Sequence, residues 1–166
     1  MYKNNYEINK KVKLKSKVLI IAGSDSSGGA GIQADIKTVS ALGSYAMTAV
    51  TAVTCQNTKG VRAINSIPVK SIQKQITMVL DDIGTNAVKI GMLHNINIIK
   101  CVHKTLRKYK LKNIVFDPVM IAKGGSRLVN DNSIKYLKKL LLPLCDLITP
   151  NIPEAEVLTG YSILNK

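Results

Sequence analysis

The 166-residue chain is 46% hydrophobic, 20% charged and only 4% aromatic, and it has no apolar run near the roughly 18 to 20 residues that span a bilayer. This composition excludes a disordered chain and a low-complexity polymer, and it favours a globular protein of one domain or part of one. Lys and Arg outnumber Asp and Glu by 24 to 10, which predicts attraction to anions, although a general bias toward lysine also explains the excess.

Cysteine usage and the N-terminal segment indicate where the protein works. Cys55, Cys101 and Cys145 have neither the spacing of a disulfide framework nor that of a zinc site, so we expect a cytoplasmic location. Residues 1–15 are rich in lysine and are expected to form a basic mobile tail before a single domain over residues 16–166. The apolar stretch that follows the tail is too short for a signal-peptide core, and no membrane partner is expected.

Predicted strands and helices alternate along the chain. In chain order they are a strand at Val18–Ala22, a helix around residues 32–42, a strand at Ala46–Thr54, a helix around 69–83, a strand at Ala87–Ile90, a helix around 98–109, a strand at Asn113–Phe116, a helix around 134–141, a strand at Asp146–Thr149 and a helix opened by PNIPEAE. Parallel neighbours need crossover connections, so this alternation predicts an α/β fold with a mainly parallel sheet covered by helices on both faces.

The segments that follow the five predicted strands are GSDSSGGAG, CQNTKG, GMLH, DPVM and PNIPEAE. Ligands of open parallel sheets bind in the crevice beyond the carboxyl ends of the strands. We therefore expect the functional site among these five segments.

Glycines in the first segment precede a helix. Backbone N–H groups around Gly28, Gly29 and Gly31, together with the helix dipole, are expected to face an anion or a polar ligand. A dinucleotide-binding fingerprint is incomplete because no acidic residue occurs between Asp35 and Asp81, and no Walker motif is present. A purely structural glycine turn is the alternative.

Two polar residues near the first two strand ends are candidates for ligand recognition. The amide of Gln56 offers one acceptor and two donors, which complements the edge of an aminopyrimidine; capping of a strand is the structural alternative. Asp35 lies near the start of the first helix, where a carboxylate can also simply interact with the helix dipole.

Oxygen-bearing side chains follow the last two strands. Asp117 comes directly after a strand, and Asn151 and Glu154 form N-x-x-E at the start of the last helix. Such ligands suit a magnesium ion held mostly through waters and shared with substrate phosphates. Helix capping is the alternative for Asn151, with Pro153 just inside the helix.

Five blocks, AGSDSSGGAGIQADIKT, TAVTCQNTKGV, KIGML, VFDPVM and ITPNIPEAEVLTG, occur in this order between about Val18 and about Gly160. They resemble the hydroxymethylpyrimidine/phosphomethylpyrimidine kinases of thiamine biosynthesis, in the ribokinase-like superfamily, with pyridoxal kinases as the nearest confusable relatives. The resemblance implies a three-layer αβα sandwich of which residues 16–166 form the N-terminal portion.

The resemblance also implies the reaction and its residues. Phosphoryl transfer runs from ATP with Mg²⁺ to the hydroxymethyl group of the pyrimidine, and then to the monophosphate. The implied pyrimidine pocket contains Gly23, Ala30, Asp35 and Gln56, with Met92 and Val119 as apolar walls. The implied phosphate and magnesium side contains Asp117, Asn151 and Glu154, of which Asp117 and Glu154 hold the ion through water.

One departure from the family pattern concerns catalysis. Family members continue into a C-terminal part with a Gly-Thr-Gly block that forms an anion hole and supplies the catalytic base, and we expect that part and that base to be missing here. The expected partners are the pyrimidine, ATP, and either a complementing C-terminal chain or a second copy in a homodimer. The alternatives are an inactive remnant that binds a pyrimidine or pyridoxal and, least favoured, a basic nucleic-acid-binding protein, for which the sequence shows no helix-turn-helix, zinc or aromatic RNA-binding signature.

Overall fold

The computed structural model describes residues 15–120 and 129–164. The strands and helices in chain order are β1 (Lys17–Asp25), α1 (Gly31–Ala41), β2 (Tyr45–Asn57), β3 (Gly60–Ser66), α2 (Val69–Asp82), β4 (Ala87–Ile90), α3 (Ile96–Tyr109), β5 (Ile114–Phe116), α4 (Asp131–Tyr136), β6 (Leu147–Ile148) and α5 (Ile152–Thr159). Helix α4 continues through a π-helical turn, Leu137–Leu141, and a 3₁₀ turn, Leu142–Leu144. The predicted tail lies outside the described residues except for Lys15, whose N–H donates to the carbonyl of Gly43.

The strands form one six-stranded sheet in the order β3-β2-β1-β4-β5-β6. All neighbours are parallel except β2 and β3, which form an antiparallel hairpin. The prediction of a mainly parallel sheet is confirmed. Strand β3 was not predicted, because most of its side chains are exposed and its sequence therefore lacks the apolar run that marks a buried strand.

Alternate residues of the central strands point to opposite faces of the sheet. Apolar residues such as Leu19, Val88 and Phe116 pack into one core together with residues of α2, α3 and α4. The intervening positions, Ile20 and Lys89, are aligned with each other on the opposite face. Helix α1 contacts β1 and β2, whereas α2 contacts α3 and α3 contacts α4. The predicted three-layer arrangement, with helices on both faces, is confirmed.

The β6 edge of the sheet carries exposed apolar side chains. Leu147 and Ile148 are 55% and 40% exposed. On α5, the next helix along the chain, Ile152 and Val157 are exposed as well. Within the described ranges β6 pairs only with β5. Its other side therefore presents unpaired backbone groups next to apolar surface.

Across residues 15–120 and 129–164, no helix combines the length and the apolar character that a bilayer crossing requires.

Candidate functional site

The residues singled out in the sequence lie at or beyond the carboxyl ends of the parallel strands. Gly23 is near the end of β1 and Gln56 near the end of β2, while Met92 follows β4. The remaining candidates are Ala30 and Asp35 at the start of α1, Asp117 and Val119 after β5, and Asn151 and Glu154 at the start of α5. The predicted placement at the strand ends agrees with the crevice that open parallel sheets use for ligands.

Asp25 organises the glycine loop. Its carboxylate accepts hydrogen bonds from the N–H and hydroxyl of Ser27 at 2.8 and 2.7 Å, and from the N–H groups of Gly29 and Ala30 at 3.1 and 2.8 Å. The expectation that N–H groups around Gly28, Gly29 and Gly31 face a bound anion is therefore wrong for Gly29, whose N–H faces a carboxylate of the chain itself. The N–H of Ala30 faces the same carboxylate.

The charge of Asp25 is stabilised by this loop. Burial alone would raise the pKa of Asp25, but the hydrogen bonds from Ser27, Ala30 and Gly29 together lower that pKa below its ordinary value of 3.8. The carboxylate is consequently ionised at neutral pH and holds the loop closed. The sequence carries a local signal for this role, because an Asp whose side chain accepts from the N–H two residues on is a common turn device.

Two glycines of the site lie very close to neighbouring atoms, Gly31 to backbone and Gly23 to the end of a side chain. Gly31 has a φ of +56°, and a Cβ there would lie 2.5 Å from the carbonyl oxygen of Gly23. A Cβ on Gly23 would lie 2.5 Å from Cε of Met92. Gly23 therefore gives Met92 its space, which brings two of the predicted pocket residues into contact.

The backbone of Gln56 is fixed to the loop after β1. The hydroxyl of Ser26 donates to the carbonyl of Gln56 at 2.6 Å and accepts from its N–H at 2.9 Å. The side-chain oxygen Oε1 of Gln56 lies 3.3 Å from the hydroxyl of Thr54. That hydroxyl also lies 2.6 Å from the carbonyl oxygen of Ser24, to which it donates. The pairing of β2 with β3 shifts register between Cys55 and Gln56. Such a bulge redirects side chains and is common beside active sites.

Gln56 lines a cavity of about 340 Å³ at the hairpin end of the sheet. The other lining residues are Ser26, Cys55, Asn57, Gly60 and Arg62. A volume of this order accommodates a small heterocycle. Sequence reasoning missed Ser26 and Arg62, because their proximity to Gln56 depends on the β2–β3 hairpin and on the bonds between Ser26 and Gln56.

Lys89 joins two of the predicted site residues. Its ammonium lies 2.9 Å from Oδ2 of Asp35 and 3.3 Å from Oδ2 of Asp117. Asp35 comes from α1 and Asp117 from the segment after β5, so the lysine bridges two elements from a third, β4. Sequence reasoning missed Lys89, although it lies in the KIGML block, because no sequence pattern shows that it reaches both acids.

The predicted apolar walls have different surroundings. Met92 is 7% exposed and belongs mainly to the core, and its carbonyl accepts a hydrogen bond of 2.8 Å from the buried hydroxyl of Thr51. Val119 is half-buried and donates its N–H to the carbonyl of Asp117 at 2.8 Å. Both residues are thus held by backbone bonds that fix the segments after β4 and β5.

Asn151 and Glu154 form a reciprocal cap at the start of α5. Oδ1 of Asn151 accepts from the N–H of Glu154 at 2.9 Å, and Oε2 of Glu154 accepts from the N–H of Asn151 at 3.0 Å. Oε1 of Glu154 is 3.5 Å from the N–H of Met120, and the side chain is 5% exposed. Asn151 therefore performs the capping role that the sequence offered as the alternative, and Glu154 shares in it.

The surroundings of Asp117 and Glu154 limit how a magnesium ion can bind here. Among the described residues no group of three or more His, Cys, Asp or Glu side chains is placed to hold a metal. Asp117 contacts Lys89, and both Glu154 oxygens face backbone N–H groups. This donor set does not make a site from protein ligands alone, but it fits an ion held through waters and substrate phosphates, as is usual for Mg²⁺.

The thiols of Cys101 and Cys145 both have raised pKa values. Burial and the neighbouring Asp146 raise the pKa of Cys145 to about 11. Burial likewise raises the pKa of Cys101. Neither thiol is therefore activated for proton transfer.

Comparison with known proteins gives consistent results. Residues 25–166 match the family model described as phosphomethylpyrimidine kinase. The chain is 51% identical over 147 residues to the hydroxymethylpyrimidine/phosphomethylpyrimidine kinase of Bacillus subtilis, covering 89% of this chain and 54% of that protein. For the enzyme of the same name from Haemophilus influenzae the identity is 53%, covering 89% and 55%.

Solved structures agree with the sequence relatives. A phosphomethylpyrimidine kinase from Clostridium difficile has a TM-score of 0.85 and 54% identity, covering 91% of this chain and 65% of that one. The pyridoxal kinase from Staphylococcus aureus in complex with pyridoxal has a TM-score of 0.80 and 38% identity, covering 90% and 55%. The chain spans about half the length of the curated relatives it matches. By the match over residues 25–166, the chain belongs to the phosphomethylpyrimidine kinase family.

Proposed function

We propose that the protein phosphorylates 4-amino-5-hydroxymethyl-2-methylpyrimidine, and then its monophosphate, with MgATP in thiamine biosynthesis. The observation that carries this proposal is the placement of Gln56, whose backbone is fixed at the end of β2 by Ser26 and which lines a cavity of about 340 Å³. The family membership names the substrate, since the curated relatives carry the name of this pyrimidine kinase.

On this proposal the first half of the site recognises the pyrimidine ring. Gln56 pairs with the polar ring edge, because an amide supplies both the acceptor and the donors that an aminopyrimidine needs. The family resemblance assigns Gly23, Ala30, Met92 and Val119 to small or apolar surface around the ring; among the described residues, Gln56 is the one predicted pocket residue that also lines the cavity. Asp35 supplies a carboxylate for a polar group of the substrate.

The second half of the site faces the phosphates. Asp117 and Glu154 would hold Mg²⁺ through waters. Asn151 caps the start of α5 beside Glu154. When bound, the ion supplies positive charge that neutralises the phosphate oxygens of ATP. The contribution of the chain is to orient the acceptor hydroxyl and the donor phosphate, because phosphoryl transfer depends on position and electrostatics more than on covalent chemistry.

We also propose where the protein acts and what completes it. A cytoplasmic location suits ATP as phosphoryl donor and three unpaired cysteines. Because the chain spans about half of its curated relatives, the rest of the catalytic machinery is proposed to come from a C-terminal family segment, on a complementing chain or through a homodimer. The pyridoxal kinase of similar structure makes pyridoxal the competing substrate to exclude.

The test is an assay of ATP-dependent phosphorylation after co-expression with the C-terminal half of the Bacillus subtilis relative. The wild-type chain should convert the hydroxymethylpyrimidine, and Gln56→Leu should lose at least about tenfold in kcat/KM because a buried polar edge of the substrate is left unpaired. Gln73→Leu, an equal change at an exposed position on α2, is the control and should match wild type. Phosphorylation of pyridoxal but not of the pyrimidine would contradict the proposal.

A further inference from the structure

Lys89 is an unusual residue for its place in the sheet. It lies on β4, between Ile20 of β1 and Val115 of β5 in the register. Central strands of a parallel sheet are covered on both faces and are normally apolar throughout. A charged side chain that breaks this rule indicates a functional requirement at that point.

The ammonium of Lys89 is shared between two carboxylates. The distances are 2.9 Å to Asp35 and 3.3 Å to Asp117, and the three side chains are 22%, 21% and 34% exposed. One cation between two anions leaves the cluster with a net negative charge. The cluster therefore both fixes the two carboxylates and remains attractive to a further positive group.

Gly91 preserves the space that the ammonium occupies. A Cβ at this position would lie 3.2 Å from Nζ of Lys89 and 3.0 Å from Cβ of Ala22. Both distances are tighter than ordinary van der Waals contact, so a side chain here would shift the Lys89 ammonium or Ala22 by a few tenths of an ångström. The glycine two residues after Lys89 thus supports the same arrangement from an independent direction.

We propose that Lys89 is a positioning residue that holds Asp35 and Asp117 as one unit. Asp35 lies on the pyrimidine side and Asp117 on the magnesium side, an assignment that rests on the proposed function. Transfer of a phosphoryl group requires a fixed distance between acceptor and donor, and small misplacements cost much rate. Because Lys89 pairs with one carboxylate on each side, it sets the distance between the pyrimidine side and the magnesium side.

A positioning role differs from that of a structural ion pair in what it changes. The three side chains are only 22%, 21% and 34% exposed, so any role of Lys89 predicts some loss of stability when the lysine is removed. The positioning role predicts in addition that the two carboxylates change their positions and that ligand binding changes with them. A substitution that keeps the bridge should restore both properties.

The first measurement needs no ligand. The carboxyl ¹³C resonances of Asp35 and Asp117 are recorded in the full chain, in Lys89→Met and in Lys89→Arg. We expect both resonances to shift in Lys89→Met, because the shared ammonium is lost and the two carboxylates then face each other directly, and to stay near their wild-type positions in Lys89→Arg. Asp82→Asn, at an exposed position on α2, is the control and should shift neither resonance. Asp35 and Asp117 resonances that stay unchanged in Lys89→Met would overturn the proposal.

The second measurement is calorimetric binding of the hydroxymethylpyrimidine. Lys89→Met should weaken binding about tenfold, whereas Lys89→Arg, which can still bridge two carboxylates, should stay within about threefold of wild type. Equal affinity in Lys89→Met and wild type would contradict the positioning role. A wild-type chain without pyrimidine affinity would contradict the proposed function alone, and the resonance comparison would still decide this inference. If Lys89→Met fails to fold, Lys89→Gln replaces it in both measurements.

Discussion

Gly31 and Gly23 approach so closely that a Cβ on Gly31 would lie 2.5 Å from the carbonyl oxygen of Gly23. Gly31 also has a φ of +56°, which side chains disfavour. The contact ties the start of α1 to the end of β1, and the Asp25 loop lies between these two points. The conformation at the end of β1 thus depends on the absence of a side chain at Gly31.

Replacement of Gly31 tests this dependence. Gly84→Ala is the matched control, because Gly84 has a φ of +69° with nothing within 4 Å of its Cβ position. We expect Gly84→Ala to cost about 1 kcal/mol for the left-handed backbone, and Gly31→Ala to cost about 2 kcal/mol more for the clash. Urea denaturation measures both. Equal losses would show that the contact with Gly23 does not constrain the loop.

Acid should weaken the loop through Asp25. Because the folded-state pKa of Asp25 is lowered, its stabilising contribution is present above its ordinary pKa of 3.8 and is lost as pH falls through the lower folded-state value. We expect Asp25→Asn to cost about 1 to 3 kcal/mol at pH 7, and this difference from wild type to shrink toward pH 3. The free energy of unfolding at several pH values measures it. A difference that stays constant from pH 7 to pH 3 would contradict the charged clamp.

Alkylation should distinguish Cys55 from the other two cysteines. Cys55 is exposed and lines the cavity with Gln56, whereas Cys145 has a pKa of about 11. At pH 8 only about one Cys145 thiol in a thousand is ionised, so we expect iodoacetamide to modify Cys55 first. Saturating hydroxymethylpyrimidine should slow that modification, as followed by mass spectrometry. Protection of Cys145 but not of Cys55 would place the ligand elsewhere.

The exposed β6 edge should promote association of the chain. Leu147 is 55% exposed beside the unpaired side of β6, and apolar sheet edges are common sites of aggregation. We expect Leu147→Lys to reduce self-association in analytical ultracentrifugation. Met78→Lys on α2, where the methionine is 71% exposed away from any strand edge, should leave association unchanged. The opposite ranking of these two variants would assign association to the helical face.

Turnover should require more than residues 1–166. Cys101 and Cys145 have raised pKa values, and removal of one oriented donor to a developing charge costs about a hundredfold or more in rate. We expect the purified chain alone to give no pyrimidine phosphate above background, and co-expression with a C-terminal family segment to restore the reaction. Turnover near 1 per second by the chain alone, in the ordinary kinase range, would require a base not identified here.

Buried, periodic segments were predictable from the sequence, and the bounds predicted for β4, Ala87–Ile90, are those of the structure. Strand β3 escaped prediction because its side chains are mostly exposed and carry no periodic apolar pattern. After Tyr136 the helix widens into a π turn and then tightens into a 3₁₀ turn that contains Pro143. Apolar spacing alone does not reveal these changes.

In the candidate site, residues marked by a local sequence pattern were predictable, and contacts made only through tertiary structure were not. Gln56 and Asp117 were predictable because each follows the strand pattern at a carboxyl end. Lys89 was not, since its two partners are 54 positions before it and 28 positions after it and meet only through tertiary structure. The N–H of Gly29 was assigned to an external anion, because the sequence does not show that the Asp25 carboxylate turns back onto it.

The most direct test of the account is calorimetric titration of the chain with the hydroxymethylpyrimidine and with the analogue that carries hydrogen in place of the 4-amino group. If Gln56 reads the aminopyrimidine edge, the wild-type chain should prefer the amino compound by at least about tenfold, and Gln56→Leu should bind both compounds equally weakly. Equal affinity of the wild-type chain for the two compounds, or an unchanged preference in Gln56→Leu, would contradict the assignment of this cavity to the pyrimidine.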